Sequence, residues 1–444
     1  MVRTFRGGIH PQYYKENTNT LKIEQMPAPA KMYFPVLQHI GAPCEPIVKI
    51  GDHVMIGQKI ADSSAPVSAP IHASVSGTVS AIEMHPHPSG SDCLTIVVDN
   101  DSLDTFSPNI TDCQSAFNDI STEELLTIVR EAGIVGMGGA GFPAHLKLSS
   151  ALGKIDTLLI NCAECEPFLS SDHRMIIEET DSIINGVQIL RKFFDLEKAT
   201  ICIEDNKQDA IAILKQRLSR DYANGIELSI LETKYPQGGE KQLIKAVTGR
   251  EVPSGKLPAD VKCIVMNVDT AASIFRAVYL RQPVYRRIVT VSGDAVINPK
   301  VLSVRIGTPF QDVLDFCSGL KGNVSKIING GPMMGIAQYN LSVPVIKTTS
   351  GILALSDSHD REVSKPVCIH CGKCIAVCPM KLEPIYLSMF IKKGNYDDAE
   401  NYRIMDCIEC GSCSFICPGR LNLVQEFRVG KLKVIEKRRR QQVK

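Results

Sequence analysis

Cys368-Ile-His-Cys371-Gly-Lys-Cys374-Ile-Ala-Val-Cys378-Pro379 is followed by a second run of the same form, Cys407-Ile-Glu-Cys410-Gly-Ser-Cys413-Ser-Phe-Ile-Cys417-Pro418. Both runs have the spacing C-x2-C-x2-C-x3-C-P, which is typical of proteins that hold two [4Fe–4S] clusters. The proline after each fourth cysteine prevents a helix from continuing, so the chain turns back there. The two runs therefore predict a two-cluster unit at this end of the chain.

The spacing also predicts which thiolates share a cluster. Three cysteines spaced by two residues surround one cube, and the fourth cysteine of each run reaches the other cube. The predicted ligand sets are Cys368, Cys371, Cys374 and Cys417 for one cube, and Cys407, Cys410, Cys413 and Cys378 for the other. Zinc sites or disulfides are the alternatives, but a zinc site built from two C-x2-C pairs leaves the third cysteine and the C-P unexplained. One-electron chemistry follows from the cluster interpretation.

Length and composition limit the class of protein. A chain of 444 residues is too long for one core, so several domains are expected. The net charge of +1 argues against a nucleic-acid binder, which would carry a basic excess. No secretory leader is recognisable after Met1, and no apolar run approaches the ~20 residues of a membrane span. We expect a reducing cytosol, with any membrane link made peripherally or through a partner.

The residues before the cysteine runs divide by pattern into further units. Residues 1–118 alternate over short segments with Gly and Pro at turns, and they resemble a lipoyl- or biotinyl-type barrel-sandwich hybrid. The hairpin at residues 61–68 has no lysine, so we interpret the unit as a structural or docking module. The predicted α/β multi-domain chain comprises residues 1–118 (barrel-sandwich hybrid), 119–283 (Rossmann-like parallel α/β sheet), 284–350 (β-grasp), 360–425 (α-helical two-cluster domain) and 426–444 (basic tail).

A glycine-rich loop precedes the predicted parallel sheet. Gly133-Ile-Val-Gly-Met-Gly-Gly-Ala-Gly-Phe-Pro143 contains G-x-G-x-x-G, but a helix precedes the motif and Pro143 closes it, so the usual strand–loop–helix context is missing. Such a loop brings backbone N–H groups close to a phosphate or a flat ring. A flexible linker is the alternative. We predict a ligand loop.

Helical and strand patterns alternate from residue 157 to residue 267, which predicts a mostly parallel sheet with helices on its faces. The predicted strands begin at Thr157, Ala199, Glu227 and Cys263, and the predicted helices cover residues 172–194, 206–219 and 239–248. In such sheets ligands bind beyond the carboxyl ends of the strands. Polar clusters follow three of the strands, and some of their residues could serve only as helix caps.

These clusters carry a family resemblance. Gly136-Met-Gly-Gly-Ala-Gly-Phe-Pro143, Asn161-Cys-Ala-Glu-Cys-Glu-Pro167, Tyr235-Pro-Gln-Gly-Gly-Glu240 and Asn267-Val-Asp-Thr270 resemble motifs of the FMN- and NADH-binding subunit of respiratory complex I. The β-grasp segment resembles the SLBB module of that subunit. Because two clusters follow and a barrel-sandwich unit precedes, the order over nearly the whole chain resembles the C subunit of Rnf/Rsx electron transport complexes.

The resemblance implies roles for the site residues. Gly136 and Gly138 would approach FMN or the nucleotide, and Lys147 would face the FMN phosphate or ring. Glu164 and Glu166 are the implied catalytic residues, lining the flavin ring on the NADH side. The other implied cofactor-binding residues are Asn161 beside these glutamates, Tyr235, Gly238 and Glu240 at a second edge, and Asn267 and Thr270 at the ribityl chain or phosphate.

Three positions depart from the complex I pattern. Met137 replaces an arginine of the glycine loop, Ala163 an acidic residue of the first cluster, and Gly239 a glutamate of the second. Three charges of the complex I pattern are therefore absent at the nucleotide contacts, and the flavin interpretation is unaffected.

The resemblance further implies hydride exchange between NAD(H) and FMN, and single electrons passing through two [4Fe–4S] clusters to membrane partner subunits that couple electron flow to ion transport. Ferredoxin would react at a partner subunit, and the chain would lie peripherally on the cytoplasmic side of the inner membrane. No nucleic-acid partner is expected. The alternatives are a soluble flavin/iron–sulfur reductase, such as a microcompartment cobalamin reductase, and an electron carrier without NADH activity.

Overall fold

The structure, a computed structural model, describes residues 2–110, 120–359 and 366–442. Within these ranges the strands form four sheets. The predicted domain boundary at residues 118 and 119 and most of the predicted linker before the cluster domain lie outside the described residues. The domain boundaries therefore stay predictions, while the fold of each unit can be compared with its pattern.

The first unit has the two small sheets of a barrel-sandwich hybrid. Its sheet orders are β2-β8-β7-β4 and β3-β5-β6. Apolar residues of both sheets, such as Phe34 and Ile60, are buried in one shared core. The strands in this part of the chain are β1 (Ile23–Gln25), β2 (Lys31–Pro35), β3 (Glu45–Pro46), β4 (His53–Val54), β5 (Lys59–Asp62), β6 (Ile71–His72), β7 (Gly77–Pro86) and β8 (Asp92–Asn100).

The second unit is a parallel sheet of order β11-β10-β9-β12 with helices around it, as predicted. Its elements are α1 (Thr122–Glu131), α2 (Ala144–Ala151), β9 (Thr157–Cys162), α3 (Ser171–Glu178), α4 (Thr180–Phe193), β10 (Ala199–Glu204), α5 (Gln208–Leu218), β11 (Ile226–Leu231), α6 (Glu240–Thr248), β12 (Cys263–Asn267) and α7 (Val268–Leu280). The single helix predicted over residues 172–194 is wrong in detail. Glu179 leaves the helical conformation and separates α3 from α4.

Helices α4 and α7 pack closely because Gly186 has no side chain. A Cβ atom at Gly186 would lie 2.0 Å from the carbonyl oxygen of Ala271 in α7. This close approach fixes the start of α7, which directly follows β12 at the carboxyl edge of the sheet.

The third unit is a six-stranded sheet of order β1-β14-β13-β17-β15-β16. Its own elements are β13 (Arg286–Ser292), β14 (Lys300–Arg305), α8 (Phe310–Phe316), β15 (Val324–Asn329), β16 (Ile336–Gln338) and β17 (Gly351–Ser356). Strand β17 lies entirely beyond the predicted domain end at residue 350. Strand β1 also belongs to this sheet, because it pairs with β14 in parallel.

Residues 2–25 therefore cross the other units instead of joining the barrel. Arg3 forms a bridge with Leu231 at the end of β11, and Ile9 forms one with Tyr235. Further along, the stacked rings of Tyr14 and Phe168 lie 4.8 Å apart. We call residues 3–20 the N-terminal segment.

The last unit contains the two cysteine runs. Its helices are α9 (Lys373–Val377), α10 (Pro384–Lys392), α11 (Tyr396–Asn401), α12 (Ser412–Ile416) and α13 (Leu423–Gln442). The runs have the same backbone, since His370 and Glu409 have φ of 54° and 56° at equivalent positions. The N–H groups of these two residues donate to Cys368 Sγ and Cys407 Sγ, at 3.4 Å in both runs.

The predicted basic tail is a helix where the structure describes it. Phe427 and Val434 of α13 are buried in the core of the cluster domain. Lys437 pairs with Asp397 and Arg438 with Glu400, so acidic residues of α11 neutralise part of the basic charge. Among the described helices, none is long and apolar enough to cross a membrane.

Candidate flavin and cluster site

The glycine loop lies at the carboxyl edge of the parallel sheet. Gly136 N donates to Phe142 O at 2.8 Å, and Gly141 N donates to Gly136 O at 3.1 Å, which closes the loop on itself. At the exposed tip, residues 138–140, the N–H groups donate to no acceptor among the described residues. Three free, adjacent N–H groups before the start of α2 suit a phosphate or another anionic group.

Thr270 and Arg287 hold this loop from behind. The Thr270 hydroxyl accepts a hydrogen bond from Met137 N at 3.0 Å and lies 3.4 Å from Val135 O. The guanidinium of Arg287 donates to Met137 O at 3.2 Å. Thr270 is buried and engaged by the loop, so its proposed contact with the ribityl chain or phosphate stays a prediction.

The predicted residues Asn161 and Gly238 contact each other. Asn161 Nδ2 donates to Gly238 O at 2.8 Å, and Asn161 Oδ1 accepts from Ala163 N at 3.0 Å. A Cβ atom at Gly238 would lie 2.3 Å from Ala163 O, so only glycine fits there. Asn161 joins two loops of the carboxyl edge, and its side chain is engaged in doing so.

Lys147 and Glu240 face each other across the edge. Lys147 Nζ donates to Glu240 Oε1 at 2.6 Å, which joins α2 to the start of α6. Both side chains are about one-third exposed. Because an exposed pair of this kind is worth ~1 kcal/mol or less, either group can turn towards a ligand at little cost.

Asn267 is the N-cap of α7 and faces the glycine loop. Its Oδ1 accepts from Asp269 N at 2.9 Å, while its Nδ2 donates to Asp172 Oδ2 at 3.0 Å. A Cβ atom at Gly138 would contact the Asn267 side chain at 3.5 Å. Asp172 was missed by the sequence analysis, because an acidic residue in the first turn of a helix is an ordinary feature.

Glu164 is buried against the start of α3. Its Oε1 accepts from Asp172 N at 2.9 Å and lies 3.3 Å from Ser171 Oγ. Lys15 of the N-terminal segment donates to Glu164 O at 2.5 Å, and its Nζ lies 3.6 Å from Glu164 Oε2. Burial lowers the pKa of Lys15, and the nearby carboxylate opposes this shift. Lys15 and Glu164 are far apart in the sequence, and no local sequence pattern predicts their contact.

Glu166 lies at a junction between units. Its carboxylate accepts from Met333 N at 3.1 Å and from Met334 N at 3.0 Å, both in the loop after β15. Burial raises the pKa of Glu166 to about 7, against these hydrogen bonds. The Glu166 carboxylate is engaged by this loop and lies next to Tyr235, so its catalytic role stays a prediction.

Asp172 gives the site a pH dependence. Burial, with Glu164 and Asp269 nearby, raises the pKa of Asp172 to about 7. The folded state then binds more protons than the unfolded state between about pH 4 and pH 7, so stability falls as the pH rises through this range. Asp172→Asn should therefore gain stability relative to the wild type at pH 8 but not at pH 4, as measured by urea unfolding. An equal effect at both pH values would contradict the shift.

Four cysteines of the second predicted cluster surround one cavity. It is lined by Cys378, Cys407, Cys410 and Cys413 together with apolar residues such as Val424 and Phe427. A thiolate set of this composition suits an iron–sulfur cube. The cavity thus brings the fourth cysteine of the first run to the first three of the second run.

The other run lies nearer the surface. Cys371 is exposed, and Cys368, Cys374 and Cys417 are half-buried. Burial raises the pKa of the Cys374 thiol, and Cys417 and Cys368 raise it further. The membership of this second ligand set stays a prediction.

Comparisons with known families identify all four units. Family models match as the RnfC barrel sandwich hybrid domain (residues 3–103), the Nuo51 FMN-binding domain (129–276), the SLBB domain (288–337) and the 4Fe-4S dicluster domain (362–418). The predicted fold class is confirmed. The free N–H groups of the glycine loop fit the flavin, and the cysteine cavity fits a cube.

Curated relatives match over almost the full length. The C subunit of the Na+-translocating ferredoxin:NAD+ oxidoreductase complex of Acetobacterium woodii is 45% identical, over 98% of both chains. The C subunit of the proton-translocating ferredoxin:NAD+ oxidoreductase complex of Clostridium ljungdahlii is 47% identical, over 91% of this chain and 88% of the relative. The C subunit of the ion-translocating oxidoreductase complex of Rhodobacter capsulatus is 41% identical, over 98% and 84%.

A solved structure shares the fold. The NAD+-reducing [NiFe]-hydrogenase in the H2-reduced state superposes with a TM-score of 0.52 at 16% identity, covering 72% of this chain and 63% of the hydrogenase chain. At this identity the likeness concerns the fold alone.

Fold and site together define an oxidoreductase subunit of an electron-transport complex, with FMN and [4Fe–4S] clusters as its cofactors. The chain belongs to the family of the C subunits of Rnf-type ion-translocating oxidoreductase complexes. The predicted family is confirmed.

Proposed function

We propose that the chain is the NAD(H)-reacting subunit of a membrane-bound ferredoxin:NAD+ oxidoreductase. It exchanges a hydride with NAD(H) at the carboxyl edge of the parallel sheet and passes electrons singly to its two cubes. From there they reach partner subunits that couple electron flow to ion transport, with ferredoxin reacting at a partner. The chain lies peripherally on the cytoplasmic side of the membrane.

One observation carries this proposal. Tyr235, at the flavin edge, donates from its hydroxyl to Cys410 O at 2.7 Å, so the flavin site and a predicted cluster ligand meet within one chain. Bound FMN supplies the step between a two-electron donor and one-electron acceptors. A chain that holds both sites in contact is suited to this conversion.

The residues of the edge would divide the work. The free N–H groups of residues 138–140, together with Lys147, would hold the phosphate. Glu164 Oε2 has no hydrogen-bond donor among the described residues, although it lies near Lys15, and it would accept from the ligand. Asn267 and Asp172 would face the ring side from the start of α7 and α3.

The test is made on the anaerobically purified chain. We expect bound FMN, about eight irons per chain, NADH-dependent reduction of ferricyanide, and reduced cubes in an NADH titration followed by EPR. A preparation that binds flavin but is not reduced by NADH would contradict the proposal. Efficient reduction of cob(II)alamin, with no membrane subunits co-purifying, would favour a soluble reductase instead.

Glu164→Gln should slow NADH oxidation at least about tenfold, which is about 1.4 kcal/mol of transition-state stabilisation. The amide removes the negative charge at Oε2 but keeps an acceptor for Asp172 N. Iron and flavin contents should not change. The matched control is Glu227→Gln. Glu227 is exposed near the amino end of β11, away from the carboxyl edge of the sheet, so this variant should oxidise NADH at the wild-type rate. Loss of iron in Glu164→Gln would mean that the residue is structural.

A further inference from the structure

Tyr235 is fully buried where three units and the N-terminal segment meet. We call this place the Tyr235 junction, comprising Ile9, Glu166, Tyr235, Met333 and Cys410. The Tyr235 hydroxyl lies 2.7 Å from Cys410 O and 3.3 Å from Glu166 Oε1. The apolar side chains that fill the surroundings are Cys165, Val377, Ile408, Phe415 and Ile416. The phenol ring thus spans from the flavin edge to the second cysteine run.

A second link reaches the same cube through the backbone. Tyr235 N donates to Ile9 O at 2.9 Å, and Ile9 N donates to Tyr235 O at 2.8 Å. The neighbouring Gly8 N donates to Val377 O at 2.8 Å, and Val377 immediately precedes Cys378. Tyr235 is therefore connected to Cys410 by its side chain and to the Cys378 region by its backbone, and both cysteines line the same cavity.

Glu166 holds the third side of the junction. It binds the N–H groups of Met333 and Met334, and a Cβ atom at Gly331 would come within 2.1 Å of its Oε2. Met333 O lies 3.0 Å from the position of a Cβ atom on Gly411, the residue after Cys410. Glu166 therefore fixes a loop that covers the second cysteine run beside Tyr235.

The first cysteine run is more exposed than the run at this junction. Cys371 is exposed, as are Val367 and Ile369 beside it, whereas Cys410 and Cys413 are buried. The two cubes thus differ in access: one faces the flavin edge, and the other faces the surface.

We propose that Tyr235 is the positioning residue that holds the cube of Cys378, Cys407, Cys410 and Cys413 against the flavin site, and that this cube is the first to exchange electrons with it. The cube of Cys368, Cys371, Cys374 and Cys417 then exchanges electrons with the partner. The balance is complete, because a hydride carries two electrons and one proton, each cube takes one electron, and the proton is released to solvent. This inference rests on the proposed function.

Tyr235→Phe tests the inference because it removes only the hydroxyl. Iron content should equal that of the wild type, and flavin content and the stopped-flow rate of flavin reduction by NADH are measured alongside it to detect any change at the cofactor itself. Electron transfer from flavin to the cubes should slow at least about tenfold, since lost contacts loosen the spacing of the two sites. In an EPR-monitored dithionite titration, the midpoint potential of the cube held by Cys378, Cys407, Cys410 and Cys413 should shift. The midpoint potential of the other cube should not.

Tyr13→Phe is the matched control. The Tyr13 hydroxyl is buried in the N-terminal segment, which also contacts Tyr235 through Ile9. This hydroxyl has no hydrogen-bond partner among the described residues. Its loss should change neither the rates nor the potentials. Unchanged potentials and unchanged cube reduction in Tyr235→Phe would overturn the inference, and slower flavin reduction alone would instead assign Tyr235 to the nicotinamide site. The dithionite titration needs no NADH, so failure of the proposed function would be seen separately in the wild type.

Discussion

Arg287→Met is expected to lower the free energy of unfolding by about 3–5 kcal/mol, because it leaves a buried carboxylate with less compensation. Arg287 is buried on β13 and pairs with the buried Asp269 at the start of α7. It also donates to Met137 O at 3.2 Å and to Thr349 O at 3.3 Å. The single guanidinium thus connects the β-grasp sheet, the glycine loop and helix α7. Urea unfolding and an FMN titration measure the loss, and flavin affinity should fall with stability.

The neighbouring Arg286 provides the matched control. It lies on the same strand and reaches Glu179 at 3.4 Å, but its side chain is one-quarter exposed. Arg286→Met should therefore change stability by ~1 kcal/mol or less. Adding Asp269→Asn to Arg287→Met should restore part of the lost stability, since it removes the buried charge. Similar losses for the two single arginine variants, or no recovery in the double variant, would show that the buried pair is not the cause.

The part of the fold that local spacing specifies was predictable. The cysteine runs repeat the same short pattern, and the structure repeats the same backbone at His370 and Glu409. The four parallel strands follow from short buried β-branched segments between helical patterns. The basic tail was interpreted from charge alone, whereas Phe427 and Val434 occupy one face of α13 at a spacing of two helical turns. The sequence does contain this apolar stripe, but the interpretation of the tail considered only its basic residues.

The common location of the polar clusters was predictable, whereas their contacts were not. The polar clusters after the strands do meet at one edge, because carboxyl ends of parallel strands share an edge. The partners of Glu164 and Glu166 could not be predicted, since Lys15 and Met333 come from other units and bind through long-range packing. Local pattern carries no information about a hydrogen bond between residues so far apart in the chain.

Cys378→Ala is expected to remove the cube of the other run rather than the cube of its own. The structure places Cys378 in the cavity of Cys407, Cys410 and Cys413, and Leu382 N donates to Cys378 Sγ at 3.3 Å. Losing one thiolate ligand should lower the iron content from about eight to about four per chain. The remaining cube should give the EPR signal of the exposed ligand set, with its potential unchanged.

Two further alanine variants decide the assignment, because each removes a ligand whose cube is set by the three-cysteine spacing. Cys413→Ala should leave the same spectrum as Cys378→Ala, whereas Cys374→Ala should leave the other cube. If Cys378→Ala instead matches Cys374→Ala, each run binds its own cube and the crossed ligand sets are wrong. Crossed ligation would also give a role to the contact between the N-terminal segment and Val377, because this contact would hold a residue of the first run at the cube of the second, beside Tyr235. Cys378→Ala should then also weaken the Tyr235 junction. Limited proteolysis after Arg3 or Arg6 would detect this weakening as faster cleavage than in the wild type.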